Sequence, residues 1–207
     1  MEIKLYDILR FIIVFQFVLF TFFLLTLKKG KKQSNTILAT FLLSKAICYF
    51  DTLLRRFRPM TLDWPLYLFF IGKSFDFIIG PALYFYTKSL IYENFSFKKR
   101  DLLHLIPFVS YVILIIMKYY VHPTDIMREI AQGYPLSGSL RKIVYIAIIF
   151  HFTIYSIFSL SLIKQYHAEL KNSFSSLKKI NLSWLSYIIV GFIFIYGVAF
   201  MRFTLRS

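Results

Sequence analysis

The stretch from Trp64 to Lys88, WPLYLFFIGKSFDFIIGPALYFYTK, constrains the fold more than any other part of the chain. It is long enough to cross a bilayer, which takes about 20 mostly apolar residues in a helix. Near its middle it carries two opposite charges three residues apart, Lys73 and Asp76. A Gly80-Pro81 break and an aromatic exit, Tyr84, Phe85 and Tyr86, follow. An ionised group at mid-bilayer costs about 2.5–3.5 kcal/mol on insertion scales, so such a residue faces the inside of a bundle and is paired. The segment therefore implies further helices around it.

Composition supplies them. The 207 residues are 58% hydrophobic, 20% aromatic and only 17% charged, against about 25% charged in ordinary soluble domains. The charges are excluded from long runs, which is the signature of membrane spans. Backbone groups in hydrocarbon must be satisfied within the segment, so the spans are helices. A transmembrane barrel would show segments of about 10 residues with alternating polarity, and the sequence has none. The expected fold class is all-α: a polytopic integral membrane helix bundle of about six transmembrane helices in a single domain.

In order, the spans are expected near residues 9–27, 36–54, 65–88, 102–118, 142–164 and 181–202. The first ends at Lys28-Lys29-Gly30-Lys31-Lys32 with no small-x-small cleavage site, so it reads as an anchor and not as a signal peptide. That cluster places the N-terminus outside and the first loop in the cytoplasm. The second span contains Lys45 and Asp51 and ends at Arg55-Arg56-Phe57-Arg58-Pro59. Asp51 and Arg55 form an i,i+4 pair of the kind found at an interfacial helix end. Trp64 and Tyr67 are expected interface anchors, and Ile126–Gln132 a short interfacial helix within the polar loop 118–142. Residues 172–182 read as a cytoplasmic linker.

The formal net charge of +15 suits cytoplasmic loops and anionic head groups better than nucleic acid, because no soluble basic domain is present. The lone Cys48 rules out an internal disulfide and CxxC chemistry. No HExxH, GxSxG, phosphate-binding glycine loop or two-carboxylate cluster occurs. His104, His122, His151 and His167 are dispersed over different loops and spans. No metal site, cofactor or enzyme activity is expected. The candidate ligand-binding or switch residues are Lys73 and Asp76, with Lys45 and His151 at comparable depth and able to join them. Gly80 and Pro81 are hinge candidates, since proline removes an intrahelical bond and kinks the helix.

Two segments together carry a resemblance. They are Gly80-Pro81-Ala-Leu-Tyr84-Phe-Tyr86-Thr-Lys88-Ser-Leu90, and Phe97-Lys-Lys-Arg-Asp101-Leu-Leu-His104-Leu-Ile-Pro107-Phe108. With the later run Phe174-Ser-Ser-Leu-Lys-Lys-Ile180-Asn181-Leu-Ser-Trp184-Leu185, they resemble the multi-span N-terminal sensor region of membrane-bound AraC-type bacterial transcriptional regulators. The resemblance implies a sensor in the bacterial cytoplasmic membrane that couples an envelope signal or small ligand to a helix-turn-helix pair on promoter DNA. The DNA-binding part and one further span of that pattern are absent from these residues, so a truncated frame or isolated sensor region is expected. No direct nucleic-acid binding by this chain is expected. Its expected partners are the lipid bilayer, the unidentified ligand and a second copy of the chain. The rival class is a small transporter or channel subunit using the same charges as an ion path.

Overall fold

A computed structural model describes residues 3–57, 70–121, 138–172 and 181–205. The described residues contain six α-helices and no strand. We number them α1 (Leu5–Thr26), α2 (Lys32–Arg56), α3 (Asp76–Ile91), α4 (Ile106–Val121), α5 (Gly138–Asn172) and α6 (Ser183–Thr204). Two 3-10 turns, Ile71–Phe75 and Lys99–Leu105, lead into α3 and α4. The expected anchors Trp64 and Tyr67, the short helix at Ile126–Gln132 and most of the 172–182 linker lie outside the described residues.

Among the described residues, five helical segments are long and apolar enough to cross a membrane: Leu5–Thr26, Lys32–Arg56, Lys99–Lys118, Gly138–Leu170 and Ser183–Thr204. The Trp64–Lys88 stretch is different. Its described part is a 5-residue 3-10 turn followed by the 16-residue α3, not one long helix. At rises of about 2.0 and 1.5 Å per residue, the two together extend roughly 34 Å. The segment still reaches from one end of the bundle to the other, with a change of helical pitch just before Asp76.

Contacts between chain-distant residues show that the helices alternate in direction. Asp7 at the start of α1 meets Arg56 at the end of α2. The Lys31 ammonium, in the loop between them, donates to the carbonyls of Ser89 (3.2 Å) and Tyr92 (3.3 Å) at the end of α3. There it satisfies terminal carbonyls and meets the negative end of the helix dipole. At the opposite end, Tyr145 on α5 packs on Phe203 of α6 at 4.4 Å between ring centroids and donates to the Ala199 carbonyl.

Two buried clusters fill the interior. One joins Leu54, Phe70, Phe77, Tyr111, Ile115 and Ile148. The other gathers Phe41, Cys48, Ile79, Leu83, Phe152 and Ile189 with their neighbours. α3 is the centre of both, and ten of its residues are buried, among them Phe77, Ile79, Ala82, Leu83 and Phe85. By contrast α1, α4 and α6 hold their apolar side chains outward: Phe15, Phe22, Met117, Tyr187 and Phe194 are all more than half exposed. Among the described residues, apolar side chains thus face outward around a packed interior that holds Asp7, Asp51 and Asp76.

Candidate functional site

The polar interior begins at the 3-10 turn ahead of α3. Phe70 precedes it with φ of 77°, a left-handed conformation that a bulky residue rarely adopts. Its backbone N–H donates to Asp51 Oδ1 at 2.8 Å, and its side chain is almost fully buried. The Arg55 guanidinium lies 2.9 Å from Asp51 Oδ2 and 5.7 Å from the centre of the Phe70 ring. The acid and base at an apparent helix end are therefore buried, and they hold the turn onto α2. Two positions later the chain needs glycine. A Cβ on Gly72 would lie 2.3 Å from Asp51 Cβ and 3.0 Å from the Ile47 carbonyl oxygen. The close approach also lets the Cys48 thiol donate to the Gly72 carbonyl at 3.3 Å. Cys48 is packed, as its place in an apolar run suggested.

One 3-10 turn further on lies the charge cluster. The Lys73 ammonium donates directly to Asp76 Oδ2, as expected for residues three apart on one helical face. The Lys45 ammonium, from the middle of α2, approaches Asp76 Oδ1 at 3.8 Å and donates to the Tyr196 hydroxyl of α6 at 2.8 Å. Tyr196 is held by stacking on Phe152 of α5 at 4.3 Å. Side-chain exposure is 7% for Asp76, 16% for Lys45 and 33% for Lys73. α2 and α3 thus meet at one carboxylate, with α6 joined to them through Lys45 and backed by α5.

The charge count at this point is uneven. Among the described residues, Asp51 is matched by Arg55, and Asp7 by Arg56 at 3.5 Å. Asp76 alone faces two lysines. The cluster carries one positive charge more than its acids balance. Two partly buried cations sharing one carboxylate repel each other, which makes their arrangement sensitive to an added anion.

Lys45, placed beside Lys73 and Asp76 by depth alone, does meet them. His151 does not. Its ring packs edge-on against Phe77 at 5.4 Å and against Tyr155 at 4.8 Å, and neither ring nitrogen has a hydrogen-bond partner. It belongs to a separate aromatic cluster in which His104 Nδ1 bonds the Tyr155 hydroxyl and the His104 ring packs on Phe85 at 5.1 Å. Gly80 serves the same interface. A Cβ there would approach the Tyr155 ring to 3.0 Å, so the glycine lets α3 and α5 come together. Pro81 lies one residue on, inside a continuous α3.

The sequence reading missed Tyr196, His104, Tyr155 and the Asp7–Arg56 pair. Tyr196 follows Asp76 by more than a hundred positions, and no local spacing announces such a partner. Asp7 lies close to the start of the chain, ahead of the first apolar run, yet it is buried and accepts from the Lys4 backbone N–H at 3.1 Å while meeting Arg56. Both segments that carry the resemblance pack against one another, through Phe85 on Phe97 (5.2 Å) and Phe75 on Phe108 (5.3 Å) beside them. Among the described residues no group of three or more His, Cys, Asp or Glu side chains is placed to hold a metal. Comparison with protein-family models, with curated proteins and with solved structures finds no match to this chain.

Proposed function

We propose that this chain is a membrane-embedded sensor module whose switch is the Lys45–Asp76–Lys73 cluster. Its proposed setting is the bacterial cytoplasmic membrane, with the N-terminus outside. The membrane placement draws support from five long apolar helices and from the outward apolar faces of α1, α4 and α6. In water, an exposed apolar surface much beyond a few hundred Å² is a liability. In lipid it is the natural boundary, with the charges turned inward.

The observation that carries the sensor reading is that two lysines share one carboxylate where α2, α3 and α6 meet. A ligand shifts an equilibrium only by its difference in affinity for two states. A cluster with an unbalanced charge provides such a difference, because binding of an anion alters which lysine holds Asp76. The 3-10 turn that carries Lys73 into α3 at Asp76 is where a rearrangement would begin, since it holds one of the two lysines. Gly80 and Pro81 would pass it along α3 to the His104 cluster and the loop after Tyr92. By the resemblance to AraC-type regulators, that signal would reach a DNA-binding region outside these residues.

The DNA that follows codon 207 tests the regulator part. A frame continuing into a further span and two helix-turn-helix motifs is the expected result, and a stop followed by unrelated sequence would contradict it. Proton uptake by proteoliposomes containing the purified chain would instead make it a transporter.

A further inference from the structure

At the end of the bundle where α3 stops, the chain turns through residues 92–98 and encloses a cleft of about 440 Å³. Its lining includes Lys88, Lys98 and Arg100 against Glu93 and Asp101, with Phe95 as an aromatic wall. The acids do not cancel the bases. Asp101 already accepts from the Lys98 backbone N–H at 2.7 Å, and among the described residues none of the three cations makes an ion pair. The Lys88 ammonium is held over the rings of Tyr84, Phe85 and Phe95 at 5.3, 5.9 and 5.8 Å. These ring faces hold the ammonium in place at the cleft wall. Lys31 adds a further positive charge beside Tyr92.

Beside the cleft the surface changes character. Phe97, Leu102, Leu103 and Ile106 are 55%, 66%, 63% and 55% exposed. A basic recess next to an outward apolar face matches a molecule with an anionic head and hydrocarbon tails, and basic pockets at the ends of membrane helices take such head groups. We propose that this cleft seats the phosphate head group of an anionic phospholipid, with Lys88, Lys98 and Arg100 on the phosphate and the acyl chains along Leu102, Leu103 and Ile106. Apolar exposure beside the cleft favours the lipid over free phosphate, which would gain nothing from it. The proposal rests on the membrane placement above.

The test uses the full chain, purified in detergent from membranes containing phosphatidylglycerol and phosphatidylcholine, with retained lipid counted by native mass spectrometry. A charge contact near the membrane surface is worth about a five-fold preference. Wild type should therefore retain phosphatidylglycerol over phosphatidylcholine by at least that factor. The exposed double variant Lys98→Gln/Arg100→Gln should lose the preference. Lys29→Gln/Lys32→Gln, equally basic but outside the cleft, should keep it. Equal loss in both variants would overturn the proposal, as would displacement of the lipid by millimolar inorganic phosphate. Retention of neither lipid would overturn the membrane placement as well, whereas loss of preference alone would leave that placement standing.

Discussion

Asp76 bears more of the structure than any other side chain, because two ammonium groups depend on it. Removing one partner of a buried pair costs about 3–5 kcal/mol, since the survivor remains desolvated. Asp76→Asn should therefore destabilise the detergent-solubilised protein by roughly that amount in thermal unfolding. Lys45→Met should cost much less, because Lys73 keeps its direct bond to the carboxylate. The exchange Lys73→Asp/Asp76→Lys would rescue an isolated pair. Here Lys45 lies within reach of position 76, so the exchange sets two ammonium groups together and should not recover the loss. Full recovery by the exchange would show that Lys45 takes no part.

Gly72 gives a second residue-scale prediction. Its missing Cβ leaves the room that Asp51 occupies. Overpacking a tight interior costs about 1–3 kcal/mol, so Gly72→Ala should lower stability by that much. Gly191→Ala and Gly197→Ala place a methyl where nothing lies within 4 Å. They should be neutral or stabilising by up to about 1 kcal/mol, because alanine is the better helix former. If all three behave alike in unfolding experiments, the close approach of the turn to α2 is wrong.

Among the elements, α3 departs most from a simple span. Its first turns are 3-10, its start is pinned through Phe70 to Asp51, and Gly80 brings it against Tyr155. Gly80→Ala would push the Tyr155 ring and loosen the His104 bond. Destabilisation of about 1 kcal/mol is expected, with hydrogen exchange accelerated more in α5 around Tyr155 than in α3. Tyr155→Phe, which keeps the ring and removes only the hydroxyl, should restore none of it.

These features also mark where local sequence runs out. Apolar runs and the basic cluster at Lys28–Lys32 anticipate α1, α2 and α6 to within about four residues, because hydropathy and flanking charge act locally, while α5 runs on past the expected end at 164 to Asn172. The i,i+3 spacing gives Lys73 and Asp76 a common face for the same reason. The link from Lys45 to Tyr196, and the exclusion of His151 from that link, depend on how helices rotate about their axes. That rotation is set by packing among Phe152, Ile79 and Cys48, which no local window contains. The left-handed Phe70 is likewise invisible locally, since its conformation is held from α2.

For the whole molecule, the central proposal is that the helices alternate across a membrane, with Lys45, Lys73 and Asp76 inside. The positions of Lys4 and Ser96 fall at opposite ends of this alternation, beside the Asp7–Arg56 pair and the turn after α3. Replacing the single Cys48 by serine gives a background in which one introduced cysteine reports its own side. Membrane-impermeant maleimide labelling of Lys4→Cys and Ser96→Cys in intact and in permeabilised cells is the most direct test. The account predicts that Lys4→Cys labels in intact cells and Ser96→Cys only after permeabilisation, with both proteins sedimenting with membranes. Labelling of both positions from the same side, or recovery of the protein in the soluble fraction, would contradict it.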